Sequence, residues 1–125
     1  MKTSYKYDIH DRIYTYVARV LNFLNFVPRT TQNLILIGQV ARSVTSMGAN
    51  DREADGVTTR NDFIHKYSTV RKEAKETDYW LRLIADTNEK LKPKMIEMID
   101  EGNEIIKIVT SIIYNTKNSI KEKNK

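Results

Sequence analysis

The sequence predicts an all-α protein, a single antiparallel up-and-down four-helix bundle over residues 1–125. Apolar residues recur every three or four positions along nearly the whole chain, which is the spacing of one face of a helix. The chain has only two prolines and four glycines, too few for an all-β fold with many tight turns. The connections between the periodic segments are short, so consecutive helices are expected to be antiparallel neighbours.

The first helix is predicted over about residues 8–27 and the second over about 31–55. Pro28 ends the first helix, because its ring disfavours helical geometry in the residue before it. Thr30 or Thr31 can then cap the second. The apolar face of the first helix contains Ile9, Ile13, Val17, Val20, Leu24 and Val27.

The third helix is predicted over about residues 60–86 and the fourth over about 93–121. Thr59 precedes the third helix, with Asp62 three residues later, as in a capping box. Pro93 falls in the first turn of the fourth helix, where its missing N–H costs least. The core faces are predicted to hold Phe63, Tyr67, Val70, Ala74, Leu81 and Ile84, and Met95, Ile99, Gly102, Ile106, Val109, Ile113 and Ile120.

The second helix lacks the charged face of an ordinary bundle helix. Arg42 is its only charged residue between Thr30 and Asn50, although a solvent-facing helix surface normally carries Lys, Glu and Arg. An apolar stripe of Leu36, Val40, Ser43, Met47 and Ala54 is flanked by a polar, uncharged stripe of Gln39, Ser46 and Asn50. This pattern predicts burial on two sides, against the bundle and against another subunit.

The fourth helix also carries more apolar residues than one core stripe needs. Met98, Ile105, Ile108 and Ile112 lie outside the stripe named above. Together with the second helix, this excess predicts a homo-oligomer. The alternative is a monomer with a broad core.

The net charge of +5 allows salt-sensitive attraction to nucleic acid, and solvated ends are the alternative explanation. There is no cysteine, no secretory signal pattern and no apolar run long enough to cross a membrane, so a cytoplasmic protein without membrane contact is expected. The candidate nucleic-acid contacts are Arg19, Arg29, Lys66, Lys72, Lys75, Lys117, Lys121 and Lys123.

The stretch "DREADGVTTRND", residues 51–62, has two interpretations. Its acidic positions resemble the ligand spacing of a calcium loop, but the terminal position holds Asp62 instead of a bidentate Glu. The same residues suit a turn, with Gly56 at a helix C-cap in positive φ. The turn is favoured, so no metal and no cofactor are expected.

No nucleophile elbow, phosphate loop or dinucleotide fingerprint occurs, so no enzymatic activity and no catalytic residue are predicted. His10 and His65 lie on different helices and are expected to be structural rather than metal ligands. Trp80, next to Tyr79, is either a stacking platform for nucleic acid or an interface or core anchor. The anchor is favoured.

Two segments carry a resemblance to a known family. "SMGANDREAD" (46–55) and "DFIHKYSTVRKEAKETDYWLRLI" (62–84) resemble the motifs of the four-helix bundle family named for the 23S rRNA intervening-sequence proteins, and Arg42 and Ser43 fit the same pattern. The family's hallmark is a G-A-N-x-x-E-A helix end, then D-F-I-x-K, then R-K-E-A-K-E-x-x-Y-W-L. The first and fourth helices match it in pattern and length.

The resemblance implies a ring-like homopentamer with no enzymatic activity. It also implies a link to bacterial rRNA genes, because family genes lie in insertions of 23S rRNA genes, and a related retroelement accessory protein binds nucleic acid and a reverse transcriptase. We therefore expect a bacterial oligomer that binds RNA or a nucleoprotein, with a protein–protein scaffold without a nucleic-acid role as the alternative.

The resemblance further implies a structural polar cluster between the second and third helices. Its expected members are Arg42, Asn50, Glu53, Arg71 and Glu73. A buried carboxylate needs a charged partner and further donors, so Glu53→Ala is expected to lower thermal stability or dissolve the oligomer.

Overall fold

The computed structural model describes residues 8–123, and side chains as far as residue 122. It contains four α-helices and no strand within that range. They are α1 (Ile9–Phe23), α2 (Thr31–Ala54), α3 (Arg60–Thr87) and α4 (Lys92–Lys123), and a short 3₁₀ turn (Leu24–Phe26) follows α1. The predicted all-α class with four helices is confirmed.

Each helix packs against its neighbour in sequence, and α1 closes the bundle against α4. The hydrogen bonds between α2 and α3 show that these helices are antiparallel. Ser43 Oγ lies 2.7 Å from Thr77 Oγ1, and further along α2 the hydroxyl of Tyr67 donates to Asp51 Oδ1 at 2.6 Å. The residue number rises along α2 as it falls along α3, as in an up-and-down bundle.

The predicted helix starts rest on side-chain caps. Thr30 Oγ1 accepts from the backbone N–H of Asn33 at 3.1 Å, and Thr59 Oγ1 accepts from that of Asp62 at 3.0 Å. Both caps satisfy a backbone donor that has no partner inside its own helix. Thr30, rather than Thr31, is therefore the cap of α2.

The end of α1 differs from the prediction. The α-helix stops at Phe23 instead of continuing to about residue 27, and the chain tightens into the 3₁₀ turn. Val27 is extended, with φ −81° and ψ 126°, as expected for a residue before proline. Leu24 and Val27 are nonetheless buried, so the turn directs both side chains into the core.

The core runs the length of the bundle, and a glycine brings α1 close to α4. Gly102 on α4 is buried, and a Cβ added there would lie 2.5 Å from the hydroxyl oxygen of Tyr16. Tyr16 itself is 2% exposed. A side chain at residue 102 would displace this ring, which explains the glycine in the middle of a helix.

The extra apolar set of α4 packs on the protein's own core, as in the alternative of a broad core within one chain, and the predicted homo-oligomer stays a prediction. Met98 and Ile105 are fully buried within the single chain, and Ile108 and Ile112 are partly buried against the same core. Because α4 packs against both α1 and α3, it buries a wider arc than one stripe.

The polar stripe of α2 faces α3, and its predicted contact with another subunit stays a prediction. Ser46 Oγ donates to Glu73 Oε2 at 3.2 Å, and Asn50 Nδ2 donates to the backbone oxygen of Ser46 at 2.9 Å. A different surface of α2 remains uncovered. We call it the α2 outer face: Leu34, Ile35, Gly38, Thr45 and Ala49, all exposed and uncharged.

Across the described part of the chain, no helix combines the length and apolar character needed to span a bilayer.

Candidate nucleic-acid interface

Positive charge is concentrated on the outer side of α3 and α4. Lys72 and Lys75 are exposed on α3. On α4, Thr110 Oγ1 accepts a hydrogen bond from Arg71 Nε at 2.8 Å, which marks the side that faces α3. Residues four, seven and eleven positions after Thr110 lie on that same side. We call this surface the basic face: Arg71, Lys72, Lys75, Tyr79, Tyr114, Lys117 and Lys121.

The four lysines of the basic face form no salt bridge with the described side chains of residues 8–122. The nearby carboxylates of Glu73 and Glu76 pair instead with Arg42 on α2. Exposed cations without acidic partners attract phosphate groups.

A groove of about 290 Å³ lies between α3 and α4 within the basic face. Arg71 and Lys117 supply cations at its walls, and the buried Ile113 is the most enclosed of its apolar residues. Tyr114 leaves 64% of its surface exposed beside them. The residues that line the groove are Ser68, Arg71, Thr110, Ile113, Tyr114 and Lys117.

The nucleic-acid contacts predicted from the sequence did not include Tyr114. Tyr114, Lys117 and Lys121 follow one another at spacings of three and four, which places an aromatic ring on one helix side with two cations. That pattern of interleaved aromatic and basic residues is typical of nucleic-acid contacts and was the available signal.

Tyr79 and Trp80 occupy different environments. Tyr79 is 58% exposed, and Trp80 is partly buried against the core. Their ring centroids are 5.0 Å apart with an interplanar angle of 73°. The Trp80 indole N–H is buried and has no hydrogen-bond partner within the described residues. Trp80 is thus placed as an anchor, and Tyr79 is the ring that reaches solvent.

The other predicted basic contacts are engaged elsewhere or lie beyond the described side chains. Arg19 lies 3.7 Å from Glu97, and Lys66 donates to Glu53 at 2.6 Å. Arg29 donates to the backbone oxygen of Leu24 at 3.3 Å. The side chain of Lys123 falls outside the described residues.

A polar cluster does join α2 to α3, with a membership that differs from the expected one. Arg42 donates to Glu76 at 2.6 Å and to Glu73 at 3.3 Å. Glu73 also accepts from Ser46, which connects Asn50 to the cluster through the bonds given above. The pKa of Arg42 is raised, first by its hydrogen bond to Glu76 and then by the charge of Glu73, while desolvation opposes the shift.

Glu53 and Arg71 lie apart from this cluster. The side chain of Glu53 is 57% exposed and pairs with Lys66, and Arg71 points toward α4. Glu53 lies past the turn of α2 that faces Glu73, which is why the two carboxylates have different surroundings. Of these two glutamates, Glu73 is the buried one, at 7% exposure.

The stretch of residues 51–62 forms a helix end and a turn. Asp51 lies inside α2, where it is buried and accepts hydrogen bonds from Tyr67 and the His10 ring. Burial and the hydrogen bond to Asp51 raise the pKa of Tyr67. Gly56 does not adopt positive φ, so the predicted left-handed cap is wrong. The backbone N–H of Gly56 donates to the backbone oxygen of Glu53 instead.

His10 and His65 have different surroundings. His10 Nδ1 lies 2.8 Å from Asp51 Oδ1, and His10 Nε2 lies 3.3 Å from Asp55 Oδ1. His65 is exposed on α3. Within the described residues, no group of three or more His, Cys, Asp or Glu side chains is arranged to hold a metal ion.

A second, larger groove lies between α1 and α2, at the end where α1 begins. Its volume is about 740 Å³. Its lining combines the carboxylates of Asp8, Asp11 and Asp55 with apolar surface from Tyr14 and Val17. The two grooves therefore differ in charge: the one between α1 and α2 is acidic, and the one between α3 and α4 is basic.

The arrangement of helices defines a small four-helix bundle protein whose α3–α4 side carries the basic face. The family model described as 23S rRNA-intervening sequence protein matches residues 6–111. The chain belongs to this family, as the two segments quoted above predicted. A comparison with curated proteins finds no match.

A solved structure supports the same assignment. It is described as a crystal structure of a protein with unknown function from the S23 ribosomal protein family of Bacteroides thetaiotaomicron VPI-5482. The two chains share 34% identity and superimpose with a TM-score of 0.77, over 84% of this chain and 97% of the other. The relative thus shares the fold and carries no assigned activity.

Proposed function

We propose that the protein is a non-enzymatic homo-oligomer that binds RNA through its basic face. The observation that carries the proposal is the cluster of four exposed lysines that have no acidic partner among the described side chains, next to the exposed rings of Tyr79 and Tyr114. Phosphate contacts supply most of the affinity of a nucleic-acid-binding protein. Base contacts from aromatic rings add to it.

The oligomer is proposed to form through the side of the bundle made by α1 and α2. Leu34 and Ile35 on the α2 outer face are 53% and 61% exposed, and Phe26 in the adjoining turn is 71% exposed. A cluster of large apolar side chains at the surface marks an interaction site. The family resemblance favours a ring-like homopentamer as the assembly that covers them.

Assembly through α1 and α2 would leave the basic face open. Each copy would then present four lysines on the α3–α4 side, and a ring would repeat them around its circumference. Several weak phosphate contacts on linked copies reinforce each other, because the second contact becomes intramolecular. Oligomerisation thus compensates for the moderate net charge of one chain.

The proposal is tested by measuring subunit number and RNA binding on the same preparation. Native mass spectrometry of the protein purified from its own cell should show several copies and associated RNA. The affinity of one protomer for single-stranded RNA should fall with salt with a log–log slope of about −3, since each of four neutralised phosphates contributes about −0.7. A monomer that binds no RNA at low salt would contradict the proposal.

A protein–protein scaffold is the second candidate, and the groove between α1 and α2 favours it. This groove is larger than the basic one and combines acidic with apolar lining, which suits a basic protein segment. Retention of a protein partner after nuclease treatment, without RNA binding by the purified protein, would favour the scaffold over the RNA-binding function.

A further inference from the structure

We propose that the basic face is a site for single-stranded RNA, in which Tyr114 and Tyr79 stack on unpaired bases while the lysines contact the backbone. The inference rests on the RNA-binding function proposed above and adds the class of RNA. It follows from the position, exposure and support of the two rings.

Both tyrosine rings are presented to solvent on a rigid element. Tyr79 is 58% and Tyr114 is 64% exposed, and both belong to the interior of long helices. The nearly perpendicular contact with Trp80 supports the Tyr79 ring from its neighbour in sequence. A ring held in this way loses little side-chain entropy when a base stacks on it.

The spacing of the rings leaves the lysines between and beside them. Tyr114 lies four residues, or about 6 Å, to one side of the contact between Arg71 and Thr110, and Tyr79 lies about 12 Å to the other side. The rings are therefore about 18 Å apart along the bundle. Lys72 and Lys75 fall within that interval, as a backbone running from one ring to the other would require.

The groove beside Tyr114 provides cations at the same point as the ring. Arg71 and Lys117 line it together with Tyr114, and the half-buried Arg71 is fixed by its hydrogen bond to Thr110. The Arg71 guanidinium has donors left over, since a single one is used on Thr110. A phosphate next to a stacked base can accept from it.

A duplex would leave the two rings without a role. The bases of a duplex stack on one another, and double-stranded RNA is recognised mainly through its shape, its 2′-hydroxyls and its phosphates. Lysines on a helix surface would contact duplex phosphates equally well. Exposed tyrosine rings interleaved with lysines are the arrangement of proteins that bind single strands.

The test compares two RNAs by fluorescence anisotropy at low salt: an unstructured strand of about 16 nucleotides and a hairpin duplex of matched charge. The wild-type protein should bind the single strand about tenfold more tightly. The double variant Tyr79→Ala, Tyr114→Ala should lose at least about thirtyfold on the single strand, in line with the stacking energy of two bases, and change little on the hairpin. Tyr79→Phe, Tyr114→Phe should retain wild-type affinity, because stacking does not need the hydroxyl.

The matched control is Ile96→Ala, which shortens an apolar side chain that is 55% exposed on α4 outside the basic face. Its affinity for both RNAs should equal that of the wild type, and circular dichroism should show unchanged helix content in every variant. Equal affinity of the wild type for both RNAs, or an equal loss on both in the alanine variant, would overturn single-strand stacking while leaving RNA binding in place. Binding to neither RNA would remove the RNA-binding function, and this inference with it.

Discussion

The two sides of the bundle use their exposed residues differently. The side made by α1 and α2 exposes Leu34 and Ile35 on the uncharged α2 outer face, while the exposed Tyr14 lines the acidic groove between α1 and α2. The side made by α3 and α4 also exposes tyrosines, but places them near lysines that form no salt bridge within the described part of the chain. Apolar exposure alone therefore does not define a binding partner. In the proposed function, the charge around each aromatic or aliphatic residue distinguishes the surface for another copy from the surface for RNA.

The charge of α2 is used inside the protomer. Arg42 turns toward α3, where it neutralises Glu73 and Glu76, so the outer face of α2 keeps no cation of its own at that level. The same contact removes the two acidic groups that could have neutralised Lys72 and Lys75. One cluster of polar residues thus accounts for both surfaces: it leaves one uncharged and the other positive.

The largest effect is expected when charge is placed on the α2 outer face. The double variant Leu34→Glu, Ile35→Glu should dissociate the proposed oligomer, because carboxylates without partners would be buried at the proposed contact. The loss should be about 3 kcal/mol or more of association free energy, seen as a fall in mass by light scattering with unchanged helix content.

The matched control for this prediction lies on the opposite side. Ile96 on α4 is 55% exposed, so Ile96→Glu adds a carboxylate of the same kind on the side that carries the basic face. This variant should keep the mass of the wild type. Dissociation by Ile96→Glu, with none by the α2 variant, would reverse the assignment of the two sides.

The next largest effect concerns the polar cluster between α2 and α3. Glu73→Ala should lower the free energy of unfolding by about 2 kcal/mol, since Arg42 and Ser46 lose the buried acceptor that they share. Glu53→Ala should cost less than about 1 kcal/mol, because its partner Lys66 is a surface cation. Chemical denaturation of both variants checks this order, and equal losses would contradict it.

Glu73 and Glu53 also show what the sequence could and could not predict. The four helices and the caps at Thr30 and Thr59 depend on spacing within a short segment, so the sequence predicted them. The burial of Glu73 depends on which turn of α2 faces it, and the burial of Met98 depends on α4 having two neighbours. Packing between helices can therefore bury residues that lie outside the one apolar stripe expected for each helix.

The hydroxyl of Tyr67 on α3 donates a hydrogen bond to Asp51 on α2, and removing this hydroxyl should have a smaller effect. Tyr67→Phe should cost about 1.5 kcal/mol at neutral pH, because Asp51 loses one donor and keeps the His10 ring. The raised pKa of Tyr67 also makes the stability depend on pH above the ordinary tyrosine value of 10.0.

The sign of this pH dependence follows from proton binding. Below pH 10 Tyr67 is protonated in both states, so its contribution to stability is complete. At higher pH the unfolded chain loses a proton that the folded chain keeps, so stability falls as pH rises. Burial raises the pKa of Tyr16 in the same direction. Denaturation midpoints measured from pH 8 to pH 11 should fall less steeply for Tyr67→Phe than for the wild type, and identical slopes would argue against this role.

The smallest effect is expected at Gly38, where the protomer and the oligomer should respond in opposite directions. Gly38 has no positive φ, and an added Cβ would meet nothing within 4 Å in its own chain. Gly38→Ala should therefore stabilise the dissociated protomer by about 0.5–1 kcal/mol through helix propensity. If another copy packs closely on the α2 outer face, the same methyl group should weaken association.

Gly102→Ala is the control, since its Cβ would meet Tyr16 and should destabilise the protomer by about 1–3 kcal/mol. A gain in protomer stability without any loss of association would mean that neighbouring copies leave Gly38 uncovered.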